Sequence, residues 1–169
     1  MFVESFDCSA NTRARILILG SMPGVESLHR QQYYAHPRNS FWPIMGALFG
    51  AGRDLPYGRR LARLRRHGVA LWDVARRCHR PGSLDSSIAK ESVEPHDFAA
   101  LFAYSPRIGS VFFNGKTAAA LYERLVLPTL PARLDSLRYH VLPSTSPANA
   151  MLSRERKLEQ WRVVEEALR

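Results

Sequence analysis

The sequence predicts an α/β fold: a three-layer α/β/α sandwich with a central four-stranded parallel sheet, formed by a single domain over residues 1–169. Two observations lead to this prediction. Short apolar runs alternate along the chain with stretches of helical periodicity, which is typical of a parallel sheet covered on both faces. The chain is also 46% hydrophobic and contains no repeat or low-complexity linker, so one compact core is the simplest organisation.

The elements of the first half follow this alternation. Residues 15–19 are a β-branched apolar run that a glycine ends, as expected for a buried strand. Residues 41–49 have apolar side chains at helical spacing and also stop at a glycine. A strongly basic helix is predicted at 57–66, and a second strand follows at 68–72.

The second half continues in the same way. Its predicted elements are a helix at 95–104, a strand at 108–113, a helix at 116–125, a proline-containing loop at 128–136, a strand at 138–142 and an amphipathic helix at 153–168. Pro95 is acceptable in the first turn of a helix because no backbone N–H is needed there. Ser153 is only an approximate capping signal, since the capping box places Glu or Gln three residues later.

The chain has too few cysteines for a disulfide scaffold or a cysteine-rich metal site. Cys8 and Cys78 form no CxxC pair, which excludes a four-cysteine zinc site or iron–sulfur cluster within one chain. No apolar run approaches the roughly 20 residues that a membrane span needs, and the N-terminus lacks a secretory apolar region. We therefore expect a cytoplasmic protein without a membrane partner. We further expect a monomer without cofactor or metal, associated with the nucleoid if the source is bacterial.

The charge balance favours a polyanionic partner. There are 24 Lys and Arg against 15 Asp and Glu, a net charge of +9, and the only lysines are Lys90, Lys116 and Lys157. Arginine binds phosphate through two parallel hydrogen bonds and stays charged, so this composition indicates nucleic-acid binding. A GC-rich genome is the alternative, because it enriches arginine without any function.

Parallel sheets bind ligands beyond the carboxyl ends of their strands. This rule directs attention to four loops, which begin at Gly20, Asp73, Asn114 and Pro143. The loop at 20–24 (Gly-Ser-Met-Pro-Gly) is a tight turn whose backbone can approach a ligand closely, although many purely structural turns look similar. It does not have the spacing of the dinucleotide-binding GxGxxG fingerprint.

The segment at 31–42 is rich in side chains that recognise nucleobases. Aromatic faces such as that of Tyr34 stack on bases, and the Asn39 amide offers both a donor and an acceptor. Alternatively, Asn39 or Ser40 caps the following helix. Phe41 and Trp42 are expected in the core in either case.

Polar residues also follow the third and fourth strands. Asn114-Gly115-Lys116-Thr117 lacks the earlier glycine of a phosphate-binding Walker loop, so the Asn114 amide either reads a base edge or bonds to the following turn. Residues 142–150 place small hydroxyl side chains between prolines, a pattern that can hold phosphates without charge. Nine arginines lie between Arg53 and Arg80, of which Arg59, Arg63 and Arg66 share a helix face; that face either contacts DNA or is simply solvated.

Together these loops resemble the uracil-DNA glycosylase superfamily, and most closely its hypoxanthine-DNA (deoxyinosine) glycosylase family, with the mismatch-specific uracil/thymine glycosylases next. Residues 20–24 resemble the first superfamily motif. Residues 34–42 (Tyr-Ala-His-Pro-Arg-Asn-Ser-Phe-Trp) resemble the segment that follows it in the mismatch-specific branch, and residues 142–149 resemble the loop that presses on DNA. The resemblance spans essentially the whole chain.

The resemblance implies a monofunctional DNA glycosylase of base excision repair. Such an enzyme hydrolyses the N-glycosidic bond of a flipped deaminated base, here preferentially hypoxanthine, in double-stranded or single-stranded damaged DNA. The implied catalytic residue is Asn39, which positions water or contacts the base. The implied base-binding residues are Ser21, Met22, Pro23, Gly24, Tyr34 and Asn114. The implied DNA-binding residues are Ser144, Thr145, Ser146, Pro147, Ala148, Asn149, Arg59, Arg63 and Arg66.

Within these sets the roles differ. Tyr34 is expected to stack on the extruded base and Asn114 to read its edge. The three hydroxyl residues at 144–146 are expected to hold phosphates, while Ala148 and Asn149 replace the flipped nucleotide as a wedge. No lysine lies in the motifs, so Schiff-base lyase chemistry is not expected.

One departure from the better-known branches keeps alternatives open. Those branches carry Asp or Asn in the first motif, where this chain has Met22. The hypoxanthine family is similar in lacking that residue, and the resemblance places its polar role on Asn39. The alternatives are a glycosylase for uracil or for G:U and G:T mismatches, and a catalytically silent nucleic-acid-binding domain.

Overall fold

The computed structural model describes residues 2–169 and contains two β-sheets flanked by helices. The strands are β1 (Phe2–Glu4), β2 (Ile16–Gly20), β3 (Val69–Asp73), β4 (Ala75–His79), β5 (Glu94–Pro95), β6 (Ser110–Asn114) and β7 (Arg138–Leu142). The α-helices are α1 (Val25–Arg30), α2 (Phe41–Phe49), α3 (Tyr57–Arg66), α4 (Phe98–Tyr104), α5 (Lys116–Leu125) and α6 (Arg154–Glu166). None of these helices is long and apolar enough to cross a membrane.

The central sheet confirms the predicted fold class. Its four strands are all parallel and lie in the order β3-β2-β6-β7. Ile18 pairs with Leu71 on one side and Phe112 on the other, and all three side chains are buried. Strands buried on both faces require helices above and below, which is the three-layer arrangement that the sequence predicts.

Aromatic contacts join the helices to one another and to the sheet. The rings of Phe41 on α2 and Trp161 on α6 pack edge to face with centroids 6.1 Å apart. Phe98 on α4 and Phe113 on β6 lie against Tyr122 of α5, with centroids 5.5 and 5.2 Å away. Large rigid rings at the helix–sheet boundaries bury much apolar area and fix the positions of the strand ends.

The three-stranded sheet β1-β4-β5 was not predicted. Its antiparallel strands are short, and β4 has the sequence Ala-Arg-Arg-Cys-His, which lacks a continuous apolar run. The helix predicted at 95–104 is wrong at its start, because Pro95 belongs to β5 and α4 begins at Phe98. The Asp97 carboxylate accepts a hydrogen bond from Ala100 N–H and caps the helix there.

Four other predicted elements, at 41–49, 57–66, 116–125 and 138–142, agree with the structure at both ends. The rest differ by one or two residues, and α1 was also missed. The loop predicted at 128–136 contains 3₁₀ turns, Leu127–Thr129 and Ala132–Leu134. Ser153 does cap the last helix, since its hydroxyl accepts a hydrogen bond from Arg156 N–H at 3.2 Å. Three parallel strands end one residue later than predicted, at the polar edge of the sheet described next.

Candidate active site

A cavity of about 430 Å³ lies at the carboxyl edge of the parallel sheet. That volume suits a nucleoside-sized ligand. The last residues of three strands, Gly20, Asp73 and Asn114, face it. The other lining residues come from the loop after β2, the first turn of α1, the segment before α2, the loop after β4 and the loop after β7. They are Ser21, Met22, Pro23, Gly24, Val25, Glu26, Ser27, Tyr33, Tyr34, His36, Asn39, Ser83, Leu84, Asp85, Ser144, Thr145, Ser146, Pro147, Ala148 and Asn149. Every predicted base-binding residue therefore lines one cavity.

The Asp73 carboxyl group is buried at the base of this cavity. One of its oxygens accepts a hydrogen bond of 3.0 Å from the Ser5 hydroxyl. Burial, opposed in part by this bond, raises the pKa of Asp73 from 3.8 to about 7. A carboxyl group that titrates near neutral pH inside a cleft is typical of a functional site.

Gly20 allows two oxygen atoms to approach the same point. A methyl group on Gly20 would lie 2.5 Å from Asp73 Oδ1 and 2.8 Å from the Tyr34 hydroxyl. Both distances are too short for a carbon atom, so any side chain at residue 20 would displace the two groups. The first motif thus needs glycine here for close packing against the site rather than for an unusual backbone angle.

Tyr34 has one face on the protein and carries an unpaired hydroxyl. Its ring stacks on Phe41 with centroids 4.0 Å apart. The buried hydroxyl makes no close hydrogen bond among residues 2–169. Burial and then the Asp73 charge raise the pKa of Tyr34, and the nearby Asn114 side chain opposes this rise in part. Its backbone is left-handed, with φ at 54°, a conformation that non-glycine residues adopt mainly at turns and functional sites.

Asn39 both caps a helix and faces the cavity. Its side-chain oxygen accepts a hydrogen bond of 2.9 Å from Phe41 N–H, so the capping alternative is correct for that atom. Its Nδ2 group donates to no acceptor within residues 2–169, although the residue is buried and lines the cavity. The hydrogen bond to its oxygen therefore fixes the orientation of the Asn39 side-chain amide, and its Nδ2 group is free to donate to a ligand.

Asn114 and Thr145 join the ends of β6 and β7. Asn114 Nδ2 donates to the Thr145 hydroxyl, and Thr145 N–H donates to Asn114 Oδ1, both at 2.9 Å. The Thr145 carbonyl accepts a bond from Ser40 N–H. Thr145 is fully buried and anchors the loop, because its N–H, its carbonyl and its hydroxyl oxygen all have protein partners. Phosphate binding by its hydroxyl proton stays a prediction. The Asn114 amide can still form further hydrogen bonds, and its contact with a base edge stays a prediction.

The rest of the loop after β7 is held by its own hydroxyl groups. Ser144 Oγ accepts from Ser146 N–H, and Ser146 Oγ accepts from Ala148 N–H. Asn149 donates its side-chain amide to the Ser144 carbonyl at 3.0 Å. Ala148 is exposed. The Ser144 and Ser146 hydroxyl groups donate to no protein acceptor, so each has a proton free for a phosphate. The exposed wedge candidate, Ala148, has a short side chain on a turn held by these hydrogen bonds.

A buried arginine supports the first motif from behind. Arg80 is only 2% exposed, and its guanidinium donates to the backbone carbonyls of Met22, Pro23 and Gly82. On the cavity side, the Ser21 hydroxyl donates to Asp85 at 2.6 Å. Although Arg80 belongs to the arginine-rich stretch of the sequence, it holds the pocket loop and cannot contact DNA.

The basic face of α3 lies apart from the cavity. Arg59 and Arg66 are exposed and Arg63 is half-buried, and none of the three lines the pocket. Their contact with DNA stays a prediction.

Sequence reasoning missed the role of Asp73. The carboxyl-edge rule pointed to the loop that begins there, but a lone aspartate at a strand end carried no signal of its burial. Arg80 was missed for a similar reason, since one buried arginine among nine looks like its exposed neighbours. Within residues 2–169, no three His, Cys, Asp or Glu side chains come together as a metal site.

These features of the fold and the cavity define a class of protein. A parallel α/β/α domain here encloses a nucleoside-sized cavity with an aromatic wall, a titratable carboxyl group and a rim of hydroxyls, as expected for a protein that receives a single extruded nucleotide. A family model described as the uracil DNA glycosylase superfamily matches residues 8–168. The chain belongs to the uracil DNA glycosylase superfamily.

Individual relatives agree with this assignment. The chain is 36% identical to a hypoxanthine DNA glycosylase of Methanosarcina acetivorans, over 97% of this chain and 98% of the relative. It is 34% identical to a hypoxanthine DNA glycosylase of Methanosarcina barkeri, over 91% of this chain and 92% of the relative. A solution NMR structure of a candidate uracil DNA glycosylase from M. acetivorans superposes with a TM-score of 0.80, at 36% identity and 99% coverage of both chains. The family resemblance that the motifs carried is confirmed, and DNA is the substrate of this family.

Proposed function

We propose that this protein is a monofunctional DNA glycosylase that releases hypoxanthine from deoxyinosine in DNA. The observation that carries the proposal is the buried Asp73 carboxyl group, which faces the nucleoside-sized cavity together with the donor of Asn39. The reaction breaks the bond between the base and C1′ of the sugar, and water supplies the new C1′ oxygen. The names of the two Methanosarcina relatives support the same base.

The two polar groups match a deaminated base. Hypoxanthine presents a carbonyl oxygen and a ring N–H side by side. Ionised Asp73 accepts a hydrogen bond from the ring N–H, and Asn39 Nδ2 donates to the carbonyl. Adenine presents a ring lone pair and an amino group in those positions, so both protein groups would be left unpaired. Buried unpaired groups reject an analogue strongly.

Asn39 also assists departure of the base. Its oxygen is occupied by Phe41 N–H, so the side chain offers a donor rather than an acceptor for water. As the glycosidic bond breaks, negative charge grows on the carbonyl oxygen of the leaving base. A fixed donor aimed at that atom stabilises the transition state more than the bound substrate.

The cavity walls favour a purine over a pyrimidine. Tyr34 lines the cavity with its ring stacked on Phe41, and we expect the base to stack on the opposite face. Flexible Met22 lines the wall where related branches carry a short polar residue. Uracil presents the same carbonyl and ring N–H but leaves part of the cavity unfilled. We therefore expect weak or no release of uracil and no release of normal adenine.

No lysine lines the cavity among residues 2–169. Lys157 donates its ammonium group to the Ser146 carbonyl, and Lys116 begins α5 beyond the sheet edge. Without an amine at the sugar, we propose that the reaction stops at the abasic site and does not proceed to strand cleavage.

Competition between two damaged duplexes tests the proposal. Duplexes that carry one deoxyinosine or one deoxyuridine are mixed with the protein, and the released bases are separated and quantified. We expect hypoxanthine to appear first and the abasic strands to stay intact until alkali is added. Faster release of uracil would overturn the base preference alone. Binding without release of any base would instead support the catalytically silent alternative.

The remaining aspects of the function are also proposals. We propose that the protein acts as a monomer in the cytoplasm, on double-stranded or single-stranded damaged DNA. Sedimentation of the protein with and without a duplex gives the stoichiometry, and a 2:1 complex on one lesion would contradict the monomer.

A further inference from the structure

We propose that Arg53 and Arg154, supported by Lys157, form a phosphate-binding site beside the cavity that holds the DNA backbone next to the flipped nucleotide. This inference rests on the proposed function, because only a DNA substrate brings a phosphodiester to this edge. It concerns residues outside the three motifs and outside the arginine face of α3.

The two arginines contact the segment that carries Asn39. Arg53 Nη2 donates to the His36 carbonyl at 2.9 Å and to the Asn39 carbonyl at 3.4 Å. Arg154 Nε donates to the Ser40 hydroxyl at 3.4 Å. Since His36 and Asn39 line the cavity, the Arg53 guanidinium sits at its border, and Arg154 contacts the residue that follows Asn39.

The same border continues into the serine loop. Ser40 N–H donates to the Thr145 carbonyl, which ties the Asn39 segment to the loop after β7. Lys157 is 3% exposed and donates its ammonium group to the Ser146 carbonyl at 3.2 Å. Lys157 therefore contacts the loop that carries Ser144 and Ser146, whose hydroxyl protons are free for a phosphate, and the Asn39 segment that the two arginines contact is tied to the same loop.

These cations are close to one another and have no protein counter-ion. Burial first, then the charges of Arg154 and Arg30, lower the pKa of Arg53. Burial and the charge of Arg154 also lower the pKa of Lys157. The ion pairs within residues 2–169 involve Arg30, Arg76, Arg77 and Arg169, and none involves Arg53, Arg154 or Lys157. Like charges held together without a carboxylate repel each other, and an anion bound between them would relieve that repulsion.

The guanidinium groups of Arg53 and Arg154 also have N–H donors that no protein acceptor uses. Arg53 uses only Nη2 and Arg154 uses only Nε for protein acceptors in the described part of the chain. Each has further N–H groups for the oxygens of a phosphate, which arginine contacts through paired hydrogen bonds. Exposure of both side chains leaves them open to a ligand of this size.

Arg53 has a second consequence for the reaction. Because it holds the carbonyl of Asn39, a phosphate bound at Arg53 fixes the backbone of the residue whose amide faces the base. Arg53 is therefore a positioning residue as well as a phosphate ligand, whereas Arg154 contacts the segment only through the Ser40 hydroxyl.

The salt dependence of DNA binding tests the site. The double variant Arg53→Gln/Arg154→Gln is compared with Arg107→Gln/Arg138→Gln, which removes the same charge from exposed residues at the amino ends of β6 and β7, the opposite edge of the sheet. Binding to a short duplex with a stable abasic-site analogue is measured by fluorescence anisotropy between about 50 and 200 mM salt.

The two variants should differ clearly. Each lost phosphate contact lowers the slope of log K against log salt by about 0.9, so the test variant should lose nearly two units and bind about 10- to 100-fold more weakly near 0.1 M salt. The control variant should keep the wild-type slope. Equal slopes in the two variants would overturn the site.

Single-turnover excision tests the positioning role of Arg53. At saturating protein, Arg53→Gln should excise more slowly, whereas the control variant Arg107→Gln/Arg138→Gln should keep the wild-type rate. Equal rates for all three proteins would overturn the positioning role of Arg53. The salt dependence of binding is measured without base excision, so the phosphate site can be detected even in a protein that excises no base. If the protein is an active glycosylase but the double variant keeps the wild-type slope, the phosphate site is wrong and the proposed function still holds.

Discussion

Replacement of Asp73 by Asn should stabilise the protein at neutral and alkaline pH while impairing the reaction. The pKa of this carboxyl rises from 3.8 to about 7 because burial disfavours its charged form. A shift of about three pH units corresponds to about 4 kcal/mol of differential free energy. Below pH 4 the group is protonated in both folded and unfolded chains and has no effect on the difference between them.

The sign follows from proton binding. Between about pH 4 and pH 7 the folded protein holds a proton on Asp73 that the unfolded chain has lost, so the free energy of unfolding falls as the pH rises. Above pH 7 Asp73 is ionised in the folded protein too, and the full free-energy cost of burying its charge lowers the stability. Asp73→Asn removes the charge and keeps an oxygen for the Ser5 hydroxyl, so the variant should exceed the wild type by up to about 4 kcal/mol at pH 8.

Urea denaturation at several pH values measures this difference. The advantage of Asp73→Asn should grow from nearly zero at pH 4 to its maximum above pH 7, with equal m values for the two proteins. Equal stabilities at pH 8 would refute the burial argument. For the reaction, wild-type excision should rise with pH and level off above about 7, because the ionised carboxylate accepts the ring N–H. The variant should lose that inflection, and a rate that falls through pH 7 would mean that the protonated acid is the working form.

Two further predictions concern catalysis and DNA binding. Asn39→Ala should bind a damaged duplex almost normally but excise about 10²- to 10³-fold more slowly, since one fixed donor to the leaving base is lost; an unchanged single-turnover rate would remove Asn39 from the catalytic role. Replacement of Arg59, Arg63 and Arg66 by Gln should weaken binding to any duplex and flatten its salt dependence by roughly one unit for each lost phosphate contact. If the anisotropy titrations show the wild-type slope, this face of α3 is only a solvated surface.

The sequence by itself determined the central architecture. The apolar runs that became β2, β3 and β6 are too short and too continuous for amphipathic helices, and their alternation with helices leaves a parallel sheet as the simple solution. β7 (Arg-Tyr-His-Val-Leu) is a more polar, largely exposed edge strand that follows the same alternation. Because parallel strands end at one edge, the sequence predicts that the motifs at Gly20, Asn114 and the loop after β7 lie together. Short-range signals sufficed here, since the strand pattern and the loop motifs are both local.

Only the tertiary structure decided which polar groups are buried and which are free. Asp73 and Arg80 look like ordinary surface residues in the sequence, and their burial depends on segments distant in the chain, including Ser5 and the loop at 22–23. Thr145 and Asn39 show the same point at the level of single atoms: their hydrogen-bond partners determine that one anchors a loop and the other keeps a donor for the base. A pKa or a free donor depends on all the atoms around it, and sequence spacing does not specify contacts between residues far apart in the chain.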